Sequence, residues 1–329
     1  MKLTIKSLVF ASILLSACSA SDEEPVVGDG EGAASGASYS TGLAQETQAG
    51  LVDCGDGSRV SAVGTISSDD GKAWTVPANT NFETAPKAVD LYNECGGQTL
   101  EKLEALDLSS VPLMDAGGDE EFTLYIFADN YFELHVNGKL LAVDPVPFTP
   151  FNSNVVRFKA SRPLTIAIMG VDWEENLGIG SEQNRNSSYH PGDAGLVAQL
   201  QDASGKTVAV TDDSWKAQTF YTSPLNDRAC LVDNGNVRDS SSCASVASSD
   251  GTKMSAAYWE IPTDWTAPEF DDATWPNAVT YTNDVVGVDN KKAYTNFTSV
   301  FDDADADAEF IWSSNLVLDN LVLMRKTVE

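Results

Sequence analysis

Histidine is the scarcest chemistry-bearing residue in the chain: His135 and His190 are the only two among 329 residues. Neutral imidazoles ligate copper and zinc, so the pair would make a soft-metal site if the fold brought them to one end. Oxygen ligands are plentiful. Asp172, Glu174, Glu175 and Asp193 fall in one stretch and suit calcium, a hard cation that takes several carboxylate and carbonyl oxygens. Glu174 and Asp193 are the ligands expected of such a site. Asp303-Ala-Asp-Ala-Asp307 opens like an EF-hand loop, but Ala308 replaces the needed glycine and Ser314 stands where a bidentate glutamate belongs. It reads as a solvated acidic turn.

Enzymatic signatures are weak. Gly205-Lys206-Thr207 matches the end of a phosphate-binding loop, yet Leu200 occupies the place of its first glycine. The sequence has no Gly-x-Ser-x-Gly elbow and no His-Glu-x-x-His pair. Glu174 and Glu175 are adjacent, so on a strand they face opposite ways, poor geometry for a glycosidase pair. The expectation is a binding protein with no catalytic residues.

The chain carries a formal charge of −29. That argues against nucleic acid and against electrostatic adhesion to anionic lipid, and it suits solubility or the holding of divalent cations. Residues 1–17 read as a lipoprotein signal peptide. Lys2 and Lys6 precede an apolar run from Leu8 to Leu15, followed by Leu15-Ser16-Ala17-Cys18. The run is too short to span a bilayer. The ending resembles a bacterial lipobox, which implies cleavage before Cys18, lipid on its sulfur, and membrane attachment through that lipid. Ser19 is compatible with sorting to the outer membrane. Four cysteines remain, an even number in a chain bound for an oxidising compartment. Of three pairings, Cys54–Cys95 and Cys230–Cys243 close the most local loops. No Cys-x-x-Cys pair speaks for zinc.

These groups need a frame. Residues 18–45 are rich in Gly, Ser, Ala and acid and read as a flexible tether. Residues 46–329 read as one folded domain, with a disulfide-pinned insertion around 227–251. Short β-branched and aromatic runs alternate there with Gly, Asn, Asp and Pro: Phe122–Phe127, Tyr131–Val136, Lys139–Val143, Asn154–Phe158, Leu164–Met169, Leu196–Leu200, Thr207–Val210, Glu309–Trp312 and Asn320–Met324. Phe132, Leu134 and Val136 share one face of their strand. Tyr131, Glu133 and His135 share the other. Asn137-Gly138 marks a tight hairpin. Pro86–Tyr92 and Leu100–Leu106 are expected as short helices. Many short strands with turns between them predict a mainly β, antiparallel sandwich with long loops and few helices.

Ala128-Asp-Asn-Tyr-Phe-Glu-Leu-His-Val-Asn-Gly-Lys139, Gly195–Leu200 with Asp212-Asp-Ser-Trp215, and Phe270-Asp-Asp-Ala-Thr-Trp-Pro276 together resemble galactose-binding-like jelly-roll domains. These include the accessory sugar-binding domains of bacterial glycoside hydrolases. The resemblance spans residues 120–326 in pieces and implies a sugar site on loops at one end of the sandwich. Carried onto this chain, it makes Trp173 an aromatic platform, with Asp172, Glu175, Asn176 and Asp193 as hydrogen-bonding partners. A weaker resemblance is to methanotroph surface copper-binding proteins, through His135 and His190. Here Glu133 stands where that pattern has an oxidised tryptophan. Three readings stay open: a carbohydrate-binding envelope lipoprotein, a copper-binding surface protein, and a calcium-stabilised structural or adhesive lipoprotein.

Overall fold

A computed structural model describes residues 36–148, 151–182, 190–245 and 251–329. The signal segment, Cys18 and most of the expected tether lie outside the described residues. Eight strands make the framework: β1 (Glu120–Asp129), β2 (Tyr131–Val136), β3 (Lys139–Val143), β4 (Asn152–Ala160), β5 (Leu164–Val171), β6 (Gly195–Asp202), β7 (Lys216–Leu225) and β8 (Asp319–Val328). They pair as β7-β8-β5-β2-β3 in one sheet and β6-β1-β4 in the other. Ser38–Thr41 and Ser255–Tyr258 extend the first sheet beyond β7. Phe310–Trp312 and Val279–Tyr281 extend the second beyond β6, and Val89–Asn93 extends it beyond β4. The framework pairings are antiparallel, and the chain is an antiparallel β-sandwich.

Alternation explains the packing. Phe132, Leu134 and Val136 of β2 and Ile166 and Ile168 of β5 meet Phe122, Leu124 and Ile126 of β1 in one core between the sheets. The β2–β3 hairpin turns at Asn137 and Gly138, with φ of 50° and 79°. A two-residue turn of this hand requires positive φ at both positions, which Asn and Gly tolerate. Gly170 serves a different need. A Cβ there would come within 2.6 Å of the Trp312 ring, so the absence of a side chain lets that indole lie against β5.

The other face of the first sheet is also covered. Ala167, Met169 and Val171 of β5, with Phe220, Tyr221, Leu321 and Leu323, form a second core. Its cover is a small sheet of Gln45–Gln48, Val63–Ser67 and Ala73–Val76, together with Trp259, Trp265 and Trp275. All eight residues of β5 are therefore buried. The corner Phe270–Trp275 is clamped to β8 by Arg325. Its Nε donates to Asp272 Oδ2 at 2.7 Å, and further guanidinium N–H groups donate to the Trp265 and Ala267 carbonyls.

Four expectations change. Val89–Asn93 is a strand hydrogen-bonded to β4, where its β-branched and aromatic residues cover the inner core. Leu100–Leu106 keeps only a 3-10 turn, Leu103–Ala105, whose preceding Lys102 offers no side-chain cap. Residues 38–41, read as tether, form a strand paired with Ser255–Tyr258, so the ordered unit begins earlier. Lys216–Leu225, not expected at all, is a central strand. Both expected disulfides are present, Cys54–Cys95 and Cys230–Cys243, with Cα–Cα separations of 4.9 and 5.0 Å.

Candidate functional site

The end of β1, the end of β5 and the start of β6 come together at one rim of the sandwich. Gly195 stands opposite Asp129 in the sheet, and the Asn130 N–H donates to the Val171 carbonyl at 3.1 Å. The Asn130 side chain ties the rim, donating to Asp129 Oδ1 at 2.6 Å and accepting from the Trp173 N–H at 2.7 Å. A cleft of about 720 Å³ opens at this rim, lined by Arg59, Asp129, Phe151, Glu182, Asp193 and Lys291 among others. Volumes of this order suit small ligands.

Both charges and a ring line this cleft. Arg59 pairs with Glu182 and lies 5.3 Å from the Phe148 ring. The Lys291 ammonium sits 5.1 Å from the Phe151 ring, which stacks on Phe127 at 5.6 Å. The Cys54–Cys95 bridge ties the segment that leads to Arg59 to the one that carries Tyr92 and Glu94, two more lining residues.

Burial raises the Asp129 carboxyl well above the ordinary carboxylate range, and the nearby Asp193 raises it further, against Arg59 and Lys291. Asp172 is raised in the same way by burial first, then by Asp129, Asp193 and Glu174. Asp193 is raised mainly by burial. Burial and like charges at close quarters both disfavour ionisation. Carboxyl oxygens hydrogen-bond readily to hydroxyl groups, which matches a hydroxyl-rich ligand.

The expected sugar-site residues divide. Asp193 lines the cleft and Asp172 is buried behind it. Trp173 is not a platform. It is fully buried in the second core, packed edge-on against Tyr131, and its Nε1 donates to the Ala62 carbonyl at 2.8 Å. No face is left for a sugar ring. Asn176 is structural too: its Nδ2 donates to the Ser181 carbonyl at 3.0 Å and braces the loop. Glu175 is half-buried and does not line the cleft. Residues 183–189 of the same loop lie outside the described residues.

The metal ligands divide as well. Glu174 turns into the second core and accepts from the Gly178 N–H and the Tyr221 hydroxyl, while Asp193 faces the cleft. Burial raises Glu174 to about 8. His135 packs edge-on against Trp265, and burial lowers it to about 4. Its strand face points outward from the sandwich as expected, but the second core covers it. His190 bridges to Glu182 through the backbone in the cleft loop. Among the described residues, no group of three or more His, Cys, Asp or Glu side chains is placed to hold a metal. In the acidic turn at 303–307, Asp303 caps its own backbone, accepting from the Asp305 N–H at 3.0 Å.

Arg59, Asp129, Phe151, Glu182 and Lys291 escaped the sequence reading. Asp129-Asn130 carries a local signal, a polar pair closing a strand. No family model, curated protein or solved structure matches the chain.

Proposed function

We propose that this chain is a lipid-anchored, non-catalytic protein of the cell envelope that binds carbohydrate in the cleft at the Asp129 rim. One observation carries the reading: the buried Asp129 carboxyl, the half-buried Asp193, basic groups and the Phe151 ring converge on one concave rim at the loop end of a sandwich. Polar groups fixed against an apolar wall are what orients a small polar ligand. The order β7-β8-β5-β2-β3 against β6-β1-β4 supports the finer assignment to the galactose-binding-like jelly rolls. The anchor rests on Leu15-Ser16-Ala17-Cys18, and the envelope location follows from it.

The test is a glycan array followed by calorimetry with the best-bound oligosaccharide, recovered intact afterwards. Asp129→Asn is expected to weaken binding at least tenfold, about 1.4 kcal/mol, while the melting temperature holds. Unchanged affinity in both Asp129→Asn and Lys291→Ala would remove the cleft from the reading, and cleavage of the oligosaccharide would make the protein an enzyme.

A further inference from the structure

Beside the cleft, and separate from it, lies a buried nest of oxygen-bearing side chains. Asp144 follows β3, Asn152 and Asn154 begin β4, and Asp90 and Asn93 come from the neighbouring strand Val89–Asn93. Asn93, Asp144, Asn152 and Asn154 are almost completely buried. The members are linked. Asn152 Nδ2 donates to Asp144 Oδ1 at 2.7 Å and to Asn154 Oδ1 at 3.2 Å, and Asn154 Nδ2 donates to Asp90 Oδ1 at 3.1 Å. Asp144 Oδ1 also accepts from the Val146 N–H at 2.8 Å.

The second oxygen of that carboxyl is the anomaly. Asp144 Oδ2 is buried and meets no hydrogen-bond donor. A buried carboxyl oxygen left without a partner is costly, so native interiors supply a donor, a water, a cation or a proton. Lys87 is the basic side chain within electrostatic range of Asp144. Its ammonium instead donates to the Phe82 and Ala85 carbonyls and lies 3.9 Å from the Phe82 ring.

We propose that this nest is a calcium site, in which the ion takes Asp144 Oδ2 and Asp90 as its anionic ligands and side-chain amide oxygens of Asn152 and Asn154 as neutral ones. The donor set is all oxygen with two carboxyls. That suits a hard cation of irregular coordination better than copper or zinc, which favour nitrogen and sulfur, or magnesium, which demands a near-ideal octahedron. Rotating an Asn amide by half a turn exchanges its N–H₂ for its oxygen, so the same side chains serve the filled and the empty nest. The ion would tie the segment between β3 and β4, which delivers Phe151 to the cleft, to the strand that delivers Tyr92.

The test uses the full chain, stripped with EDTA, desalted and titrated with calcium chloride. Calorimetry is expected to give one calcium per chain, and saturating calcium is expected to raise the melting temperature by about 5 °C, with magnesium doing far less. Asp144→Asn should weaken calcium binding at least tenfold. If that variant does not fold, Asp90→Asn and Asn154→Ala should each weaken it. No calcium binding by the wild-type chain would overturn the proposal and leave Asp144 Oδ2 to a proton or a water. Undiminished binding in Asp144→Asn, or in both Asp90→Asn and Asn154→Ala, would overturn it too, by placing the ion elsewhere. Glycan binding is measured on the same samples, so that loss of calcium and loss of sugar are read separately.

Discussion

Asp319 and Asp129 are both buried carboxyls at the ends of framework strands, and they are treated in opposite ways. Asp319 opens β8 and accepts four hydroxyl hydrogen bonds, from Thr219 and Thr222 of β7, Ser240 of the disulfide-pinned insertion and Ser313 after Phe310–Trp312, at 2.6–2.9 Å. Asp129 closes β1, takes an amide donor from Asn130, lines a cleft and is opposed by Asp193. Burial raises both carboxyls, but four donors pull Asp319 back, whereas a second acid pushes Asp129 further. A carboxyl surrounded by donors fastens chain segments together. A carboxyl facing a cleft and crowded by its own kind is not fastened in that way, and it is the one the proposed ligand site uses.

That contrast is breakable by experiment. Asp319→Ala removes the acceptor of four hydroxyls and should cost about 3–5 kcal/mol by urea denaturation. Trp173→Ala should cost a similar amount, about 3–5 kcal/mol, since it empties an indole-sized space in the second core. Both should lower glycan affinity only as far as they unfold the chain. Trp173→Ala that stayed fully folded and lost its ligand would return Trp173 to the binding surface.

A pH series gives the next largest effect, with buried acids on one limb and a buried histidine on the other. Glu174 is raised from 4.5 to about 8 by burial, so the fold favours its protonated form. Its contribution is complete below the ordinary glutamate range and is lost as pH rises from there through about 8. His135 is lowered from 6.5 to about 4 by burial, so the fold favours its neutral form. That contribution is complete above 6.5 and is lost as pH falls toward 4. Unfolding free energies from urea titrations should therefore decline from pH 6 to pH 8.5, by a few kcal/mol. Glu174→Gln should make that limb shallower, the remainder coming from Asp129, Asp144 and Asp172, which burial raises too, and leave the acid limb in place. An unchanged alkaline slope in the variant would mean that Glu174 is ionised in the folded chain.

The smallest effect sharpens the comparison most. Asp129→Asn replaces a carboxyl whose ionised form burial and Asp193 both disfavour, so it should leave stability unchanged or raise it by about 1 kcal/mol, in contrast to Asp319→Ala. A loss of 3 kcal/mol or more, on the scale of a broken buried pair, would make Asp129 a second fastening carboxyl and close the distinction.

Seven of the eight framework strands were readable because their apolar residues alternate or run together. β7 was not, because Gln218, Thr219, Thr222 and Ser223 read as polar loop. In the fold Gln218 donates to the Asn236 carbonyl and the two threonines donate to Asp319, so most of this strand's polar side chains are buried with partners. The cleft was half legible. Asp172 and Asp193 were singled out for their place in one loop. Arg59, Asp129 and Lys291 come from three separate parts of the chain, and nothing local joins them.

By itself the sequence determined what short-range geometry controls: the alternating strands, the Asn137-Gly138 turn, and the two disulfides that close the most local loops. Each depends on backbone conformation or on residues near in the chain. Only the tertiary structure decided which outward faces stayed outward. The face of β2 and β5 that alternation marks as outer is roofed by segments far away in sequence, and Trp173 hydrogen-bonds to a carbonyl 111 residues distant. Burial is a property of what is brought over a surface, and that is why the same tryptophan reads as a platform in one dimension and as core in three.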